Sequence, residues 1–197
     1  MKLLINKYVL FFSLAALLII AFSLNSILSK KSIELPILSE LIDFQLVNQN
    51  GEVFTKNDLL GKIWIADFIF TTCAGPCPIM SNQFSELQVR YRNFSNLNLL
   101  SISVNPEFDT PIVLREYGER YSADNEKWKF LTGEKENIHK LAVEGFKIGS
   151  IEDPIFHSTR FVLIDRFARI RGYYISSELK EMQKLWADVD FLAEEKL

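Results

Sequence analysis

The two cysteines of the chain, Cys73 and Cys77, are separated by three residues in the stretch DFIFTTCAGPCPIM. An apolar run precedes them and a Gly-Pro turn lies between them, which is typical of a junction between a strand and a helix. A helix that begins at or just after Cys77 would direct unpaired N–H groups and the positive end of its dipole toward the sulfurs. Such surroundings favour thiolate, which is both the nucleophilic and the metal-ligating form of cysteine.

Several uses of this pair can be compared. A structural disulfide would close only a very short loop, and short loops gain the least stability from a bridge, so a staple is the weakest interpretation. Two small cysteines could also simply fill core space, but a strand-to-helix turn suits a functional site better. The spacing lets the sulfurs meet in a disulfide or spread around a metal ion, so a redox couple and a metal clamp both stay open.

The chain has two histidines, and one of them is a candidate ligand. His139 lies within ENIHKLAVEGF, a predicted helix, and is interpreted as a structural residue. His157, in EDPIFHSTRFVLID, ends a proline-containing loop just before a predicted strand, where a side chain can be delivered to a site. Two thiolates and one imidazole would form a soft, three-coordinate set that suits Cu(I), whereas zinc would want a fourth ligand that the sequence does not obviously offer.

Asp67 interrupts the apolar run six residues before Cys73. We interpret it as a side chain that is partly open to solvent or bonded to a backbone group. The alternative is a buried carboxylate that accepts a proton near the thiols.

The elements that must position these residues can be recognised from their hydrophobic patterns. KIWIADFIF (62–70) and LNLLSISV (97–104) are nearly continuous apolar runs, as expected for strands buried on both faces. Apolar residues recur at helical spacing between them, which predicts a βαβ unit with parallel strands, and an Asn-Gly pair in DFQLVNQNGEVFT predicts a hairpin before it. The order ββ-βα-βα-βα-ββ-α predicts a thioredoxin-like α/β sandwich with a central mixed sheet. The cysteines then lie at the carboxyl end of a central strand, where functional groups of such sheets gather.

The amino-terminal part of the chain has a different character. Residues 8–28 carry no charge, and as a helix they would span about 30 Å of hydrocarbon. This length predicts an uncleaved transmembrane helix rather than a cleaved signal peptide. The predicted organisation is therefore a membrane anchor over 1–30, a tether over 31–41 and one globular domain over 42–197.

Charge excludes one class of partner but does not orient the anchor. The 197 residues carry a formal net charge of -3 with both signs scattered, so no broad basic face supports nucleic-acid binding. Lys2 and Lys7 before the apolar stretch are matched by Lys30 and Lys31 after it. The excess of positive charge that usually marks the cytoplasmic side is therefore missing.

Four segments in a fixed order, FTTCAGPCP, SVNPEFDTPIVLREY, WKFLTG and FHSTRFVLID, resemble the Sco/SenC family over about residues 40–190. Members of that family are membrane-anchored, thioredoxin-like copper proteins that help to metallate the dinuclear copper centre of cytochrome c oxidase. The resemblance implies that Cys73, Cys77 and His157 are metal ligands for copper, as Cu(I) or Cu(II). It also implies an anchor whose amino terminus is inside and a domain in the periplasm, or in the intermembrane space if the source is mitochondrial.

The function implied by this resemblance is a copper metallochaperone, which binds and transfers its cargo rather than turning over a substrate. The alternative is a membrane-anchored thiol-disulfide oxidoreductase that keeps the cysteines of the oxidase copper site reduced, with Cys73 and Cys77 as its catalytic pair. The expected partners are the copper-site subunit of the oxidase, other copper chaperones or thioredoxin-like reductants, and the membrane.

The sequence departs from the commonest family pattern near the site. Ala74, Gly75 and Pro76 stand where an acidic residue is frequent, Asn105 replaces an aspartate, and Phe156 precedes the histidine. Fewer acidic neighbours weaken the electrostatic attraction for copper ions or for a cationic partner.

Overall fold

The computed structural model of the chain describes residues 35–149 and 159–195. Its strands are β1 (Ser39–Glu40), β2 (Gln45–Asn48), β3 (Val53–Thr55), β4 (Ile63–Ile69), β5 (Leu97–Ser103), β6 (Trp128–Thr132), β7 (Arg160–Ile164) and β8 (Arg169–Ile175). Its α-helices are α1 (Pro76–Arg90), α2 (Pro111–Arg120), α3 (Lys135–Lys140) and α4 (Leu179–Glu194). A 3-10 turn at Lys56–Leu59 precedes β4, and a π-helical turn at Leu141–Gly145 continues α3.

The strands form one mixed sheet in the order β1-β8-β7-β4-β5-β6-β2-β3. The central strands β4 and β5 are parallel and buried along their whole length, which confirms the two buried strands predicted from the apolar runs. On the other side of β4, β7 runs antiparallel to it. The mixed sheet and the helices on both of its faces confirm the predicted α/β sandwich.

Alternate residues of β4 face two separate cores, because successive side chains of a strand point to opposite faces. Ile65 belongs to the core that also contains Phe84 of α1 and Leu185 of α4. Trp64 belongs to the core on the other face, with Leu141 after α3. The face that carries odd-numbered residues of β4 is therefore the one covered by α1.

The Asn-Gly hairpin forms as predicted, because β2 and β3 pair antiparallel around it. Gly51 has a φ of 79°, a conformation that glycine adopts without steric cost. The side-chain oxygen of Asn48 accepts hydrogen bonds from the backbone N–H groups of Asn50 and Glu52 and closes the turn.

The globular domain begins earlier than the predicted boundary at residue 42. The compact unit spans Leu35–Leu197, and Leu35 is buried in the core. The guanidinium of Arg171 donates a hydrogen bond of 2.6 Å to the carbonyl oxygen of Leu35, and β1 pairs with β8. Leu35 and Leu41, which are both buried, thus anchor this segment to the domain, whereas Ile37 and Leu38 are about half exposed.

The predicted anchor over residues 1–30 lies outside the described residues. Within residues 35–149 and 159–195, no helix has both the length and the apolar character needed to cross a membrane.

Candidate metal centre

The two cysteines lie at the carboxyl end of β4, as predicted, and both are free thiols. The chain leaves β4 at Ile69, and α1 begins at Pro76, so Cys77 lies in the first turn of the helix. In the loop between β4 and α1, the backbone N–H of Cys73 donates a hydrogen bond of 3.1 Å to the carbonyl oxygen of Phe70. The backbone N–H of Gly75 points at the Cys73 sulfur at 3.4 Å.

The surroundings of the two thiols differ. Cys73 is half-exposed at the rim of the core, whereas Cys77 is only 4% exposed and packs with α1 against the sheet. Partial burial works against ionisation of Cys73, but hydrogen bonds from the backbone N–H groups of Cys77 and Gly75 and from the Cys77 thiol lower its pKa from the ordinary value. Burial raises the pKa of Cys77 to about 12, and the adjacent Cys73 sulfur adds to this effect.

This inequality has a chemical consequence. Cys73 forms thiolate more readily and can be reached from solvent, so it is the more reactive sulfur toward a disulfide or a metal donor. Cys77 must lose a proton before it can act as a ligand, and it is shielded by the helix that carries it.

The predicted histidine ligand, His157, lies outside the described residues. Within the part of the chain that the structure describes, no group of three or more His, Cys, Asp or Glu side chains is arranged to hold a metal ion. His139 lies in α3, as predicted, and is half-buried there.

Asp67 differs from the interpretation that we favoured from the sequence. Its side chain is fully buried, and neither carboxyl oxygen has a hydrogen-bond partner among the described residues, although Ser101 faces it across the β4–β5 register. Burial raises the pKa of Asp67 to about 7, and the Ser101 hydroxyl opposes only part of this effect. As an odd-numbered residue of β4, it faces the core under α1, the helix of Cys77. The structure therefore confirms the burial of the Asp67 carboxyl group, which was the alternative interpretation of the sequence. That this group accepts a proton near the thiols stays a prediction.

Asp109 is a residue near the site that the sequence analysis did not single out. Its buried carboxylate accepts hydrogen bonds from the backbone N–H of Thr71 at 3.1 Å, from the Thr71 hydroxyl at 2.5 Å and from the Ser103 hydroxyl at 2.5 Å. It thereby ties the loop that carries Cys73 to the end of β5. A usable signal was the acidic residue soon after the second parallel strand, because carboxyl ends of parallel strands meet at one edge of the sheet.

Replacing Asp109 by alanine is expected to lower the free energy of unfolding by about 2 kcal/mol, because two hydroxyl groups and one N–H lose their buried acceptor. Asp58→Ala is the matched control, since Asp58 also accepts from a backbone N–H and a hydroxyl, both of Thr55, but at the surface. That variant should lose about 1 kcal/mol or less. Urea unfolding of both variants tests this, and equal losses would show that burial of the Asp109 network adds nothing.

Comparison with known proteins places this geometry in a family. A family model described as SCO1/SenC matches residues 38–193. The chain is 30% identical over 160 residues to the SCO1 protein homolog of Bacillus subtilis (strain 168), covering 78% of this chain and 83% of the relative.

Two solved structures extend the similarity to the fold. BsSco, which is described as a member of the Sco family of cytochrome c oxidase assembly proteins with a disulfide switch, superposes with a TM-score of 0.73 at 29% identity, covering 84% of this chain and 100% of BsSco. Bradyrhizobium japonicum ScoI with copper bound has a TM-score of 0.61 at 26% identity, covering 78% of this chain and 98% of ScoI. A strand-to-helix cysteine pair on a thioredoxin-like sheet, together with a family match over nearly the whole described domain, shows that the chain belongs to the SCO1/SenC family.

Proposed function

We propose that this chain is a copper metallochaperone for cytochrome c oxidase, which holds copper through Cys73, Cys77 and His157 and delivers it to the dinuclear copper site. The observation that carries the proposal is the pair of free cysteines at the carboxyl end of β4 in a chain of the SCO1/SenC family. The copper bound to the similar ScoI and the oxidase-assembly role stated for BsSco support copper as the cargo and the oxidase as its destination.

The donor set suits Cu(I) on chemical grounds. Thiolate is a soft ligand that prefers Cu(I) to hard cations such as Mg²⁺ or Ca²⁺. Cys73 and Cys77 lie on either side of the start of α1, and the backbone N–H groups of Gly75 and Cys77 there stabilise negative charge on the Cys73 sulfur.

The pairing of β7 supports His157 as the third ligand. Ala66 of β4 pairs with Val162, so the antiparallel β7 begins at the same edge of the sheet at which β4 ends and the Cys73 loop starts. His157 precedes Arg160, the first residue of β7, by three residues, a reach of at most about 11 Å. An imidazole at that position can therefore approach the sulfurs without moving the sheet.

The unequal exposure of the two sulfurs suggests how the cargo is handed over. An acceptor can approach copper from the side of Cys73, which is half-exposed, while Cys77 holds the ion from beneath. Incoming acceptor ligands would replace Cys73 and His157 first. Cys77 would leave last and recover its proton, because its pKa of about 12 keeps it protonated when no metal is bound.

The test is an anaerobic Cu(I) titration of the reduced full-length chain in detergent. His157→Ala is expected to weaken binding by about 100-fold, or about 2.8 kcal/mol. His139→Ala, the other histidine of the chain, is the matched control and should bind one equivalent as tightly as the unaltered protein. Unchanged Cu(I) affinity in His157→Ala would remove His157 from the ligand set.

A second function, thiol-disulfide exchange with the oxidase copper site, is favoured by one observation. The lowered pKa of Cys73 and the raised pKa of Cys77 give the pair one attacking thiol and one buried resolving thiol. Redox chemistry needs both cysteines but not His157 as a metal ligand. Rescue of an oxidase-assembly defect by His157→Ala would therefore favour the reductase, and failure of rescue would favour the chaperone.

The proposal includes a location. Anchoring by residues 1–30, with the domain in the periplasm or the intermembrane space, rests on the uncharged stretch 8–28. In that location the domain can meet the copper-site subunit of the oxidase, and other copper chaperones or thioredoxin-like reductants can load or reduce the cysteines.

A further inference from the structure

Four large apolar side chains are exposed on the part of the domain where the chain enters it. They are Ile37 and Leu38 before β1, Leu60 before β4, and Phe167 in the turn between β7 and β8. Each is about half exposed, with Phe167 at 52%. We call these four residues the apolar rim.

Backbone hydrogen bonds hold the segments of the apolar rim side by side. The N–H of Leu38 donates to the carbonyl oxygen of Ile170 at 2.8 Å, and the N–H of Gly61, next to Leu60, donates to that of Arg166 at 2.9 Å. Because Arg166 directly precedes Phe167, the segments that carry the four side chains are neighbours at one end of the sheet. Single exposed apolar residues are normal, but contiguous ones mark an interaction surface.

The apolar rim lies away from the cysteines. Trp64 near the start of β4 pairs with Ile164 at the end of β7, so the β7–β8 turn with Phe167 lies at the amino end of β4. Cys73 follows the carboxyl end of the same strand. At about 3.3 Å per residue, the seven residues of β4 separate the two ends of the sheet by about 20 Å.

The chain enters the domain beside the apolar rim and is fastened there. Arg171 donates to the carbonyl oxygen of Leu35 and forms salt bridges with Asp165 at 2.9 Å and with Glu195 at 3.1 Å. Only residues 29–34 separate Leu35 from the uncharged stretch 8–28, and the seven residue steps from Leu28 to Leu35 reach at most about 25 Å when fully extended. If that stretch spans a bilayer, the entry point of the domain cannot be farther than this from the lipid surface.

We propose that the apolar rim rests in the interfacial layer of the membrane that holds the proposed anchor, with the cysteine end of the sheet directed away from the lipid. The inference rests on the anchor of the proposed function and adds an orientation of the domain. Apolar side chains on short turns can enter the headgroup boundary to a depth of about 5–10 Å.

The basic groups around the apolar rim bear on whether charge or apolar burial would hold the rim at a lipid surface. Lys56 is paired with Glu40 at 2.9 Å, and Arg169 is paired with Asp165 at 2.7 Å while it covers the ring of Phe167. Arg166, next to Phe167, donates instead to the carbonyl oxygens of Leu192 and Ala193, and the ammonium of the exposed Lys62 lies 5.9 Å from the centroid of the Trp64 ring. On a neutral bilayer, burial of apolar side chains is expected to hold the rim at the surface, and Lys62 can add attraction only where anionic lipid is present.

The experiment uses the full-length chain in nanodiscs of phosphatidylcholine, with Cys73→Ser and Cys77→Ser so that one nitroxide label can be attached. The label is placed at Phe167→Cys, and in a second protein at Leu60→Cys, to guard against a defect of one variant. Ile112→Cys is the matched control, because Ile112 is 65% exposed at the start of α2, beyond the carboxyl end of β5. Power saturation then compares collisions of the label with oxygen, which enters lipid, and with a water-soluble nickel chelate.

The expected result, already in phosphatidylcholine alone, is a ratio of oxygen to nickel accessibility at least about threefold higher at positions 167 and 60 than at position 112. Equal ratios in a chain that stays in the nanodisc would overturn the orientation and leave the anchor standing. Chain that does not remain in the nanodisc would overturn the anchor and the orientation together. Spin–spin broadening that disappears on dilution with unlabelled chain would show that a second copy covers the rim. A ratio of oxygen to nickel accessibility that rises only with anionic lipid would show electrostatic binding. Either result would overturn the proposal.

Discussion

Serine in place of either Cys73 or Cys77 is expected to reduce Cu(I) affinity of the reduced chain by at least about 10⁴-fold, or about 5.6 kcal/mol. The cause is the loss of a thiolate, since a serine hydroxyl is a hard, neutral donor at neutral pH and Cu(I) prefers soft ligands. Competition with a Cu(I)-specific chelator measures the affinity. The loss should exceed that of His157→Ala, because each sulfur supplies charge as well as a ligand.

Met80→Leu is a useful control for this pair. Met80 is fully buried one turn after Cys77 on α1. Leucine conserves the volume of this side chain while it removes the thioether sulfur. Its Cu(I) affinity and free energy of unfolding should change little. If Cys77→Ser kept its affinity within about tenfold of the unaltered chain, copper would be held by other groups and the chaperone proposal would fail.

The same thiols predict how Cu(I) affinity depends on pH. With a pKa of about 12, Cys77 is fully protonated in the metal-free chain at neutral pH, so copper binding must expel its proton. One released proton raises the affinity about tenfold for each unit of pH. Cys73, whose pKa is lowered, releases a smaller fraction of a proton than Cys77, so the slope between about pH 7.5 and 8.5, above the titration range of an ordinary imidazole, is expected to lie between one and two logarithmic units.

Asp67→Asn is expected to change the free energy of unfolding of the metal-free, reduced domain by a pH-dependent amount. Relative to the unaltered chain, the variant should be more stable at pH 8 than at pH 4 by on the order of 4 kcal/mol. The unaltered carboxyl group is fully buried without a hydrogen-bond partner among the described residues, and its pKa is about 7. Below the unfolded pKa of 3.8, both states hold the proton and the group costs nothing. Between that value and about 7 the unfolded chain alone releases its proton, so the stability of the unaltered protein falls as the pH rises.

Urea unfolding of both proteins at pH 4, 6 and 8 measures this effect. Asp165→Asn gives a comparison of opposite sign, because hydrogen bonds from Arg169 and Arg171 outweigh burial and lower the pKa of Asp165. Its carboxylate stabilises the domain above the unfolded pKa, and that contribution disappears as the pH falls. A difference between Asp67→Asn and the unaltered chain that is the same at every pH would contradict the assignment of a buried, raised-pKa carboxyl group.

The distance in sequence between interacting groups explains why some features could be predicted and others could not. The buried strands β4 and β5 and the hairpin at Gly51 follow from patterns within ten or so residues, because side-chain period and turn geometry are local properties. The network of Asp109 joins Thr71 to a residue 38 positions away. The parallel alignment of two strands decides which hydroxyl groups meet the carboxylate of Asp109. No local sequence pattern specifies that alignment.

By itself, the sequence of this chain determined the class of fold, the position of the cysteines at a strand-to-helix junction and the chemistry open to their sulfurs, since each depends on residue type and short spacing. Only the tertiary structure decided that Asp67 is buried without a hydrogen-bond partner in the described part of the chain, that Leu35 belongs to the domain and that Cys73 and Cys77 differ in exposure. Burial is set by what packs over a residue from distant parts of the chain. Here α1 covers one face of β4, and that long-range packing makes two chemically identical thiols unequal.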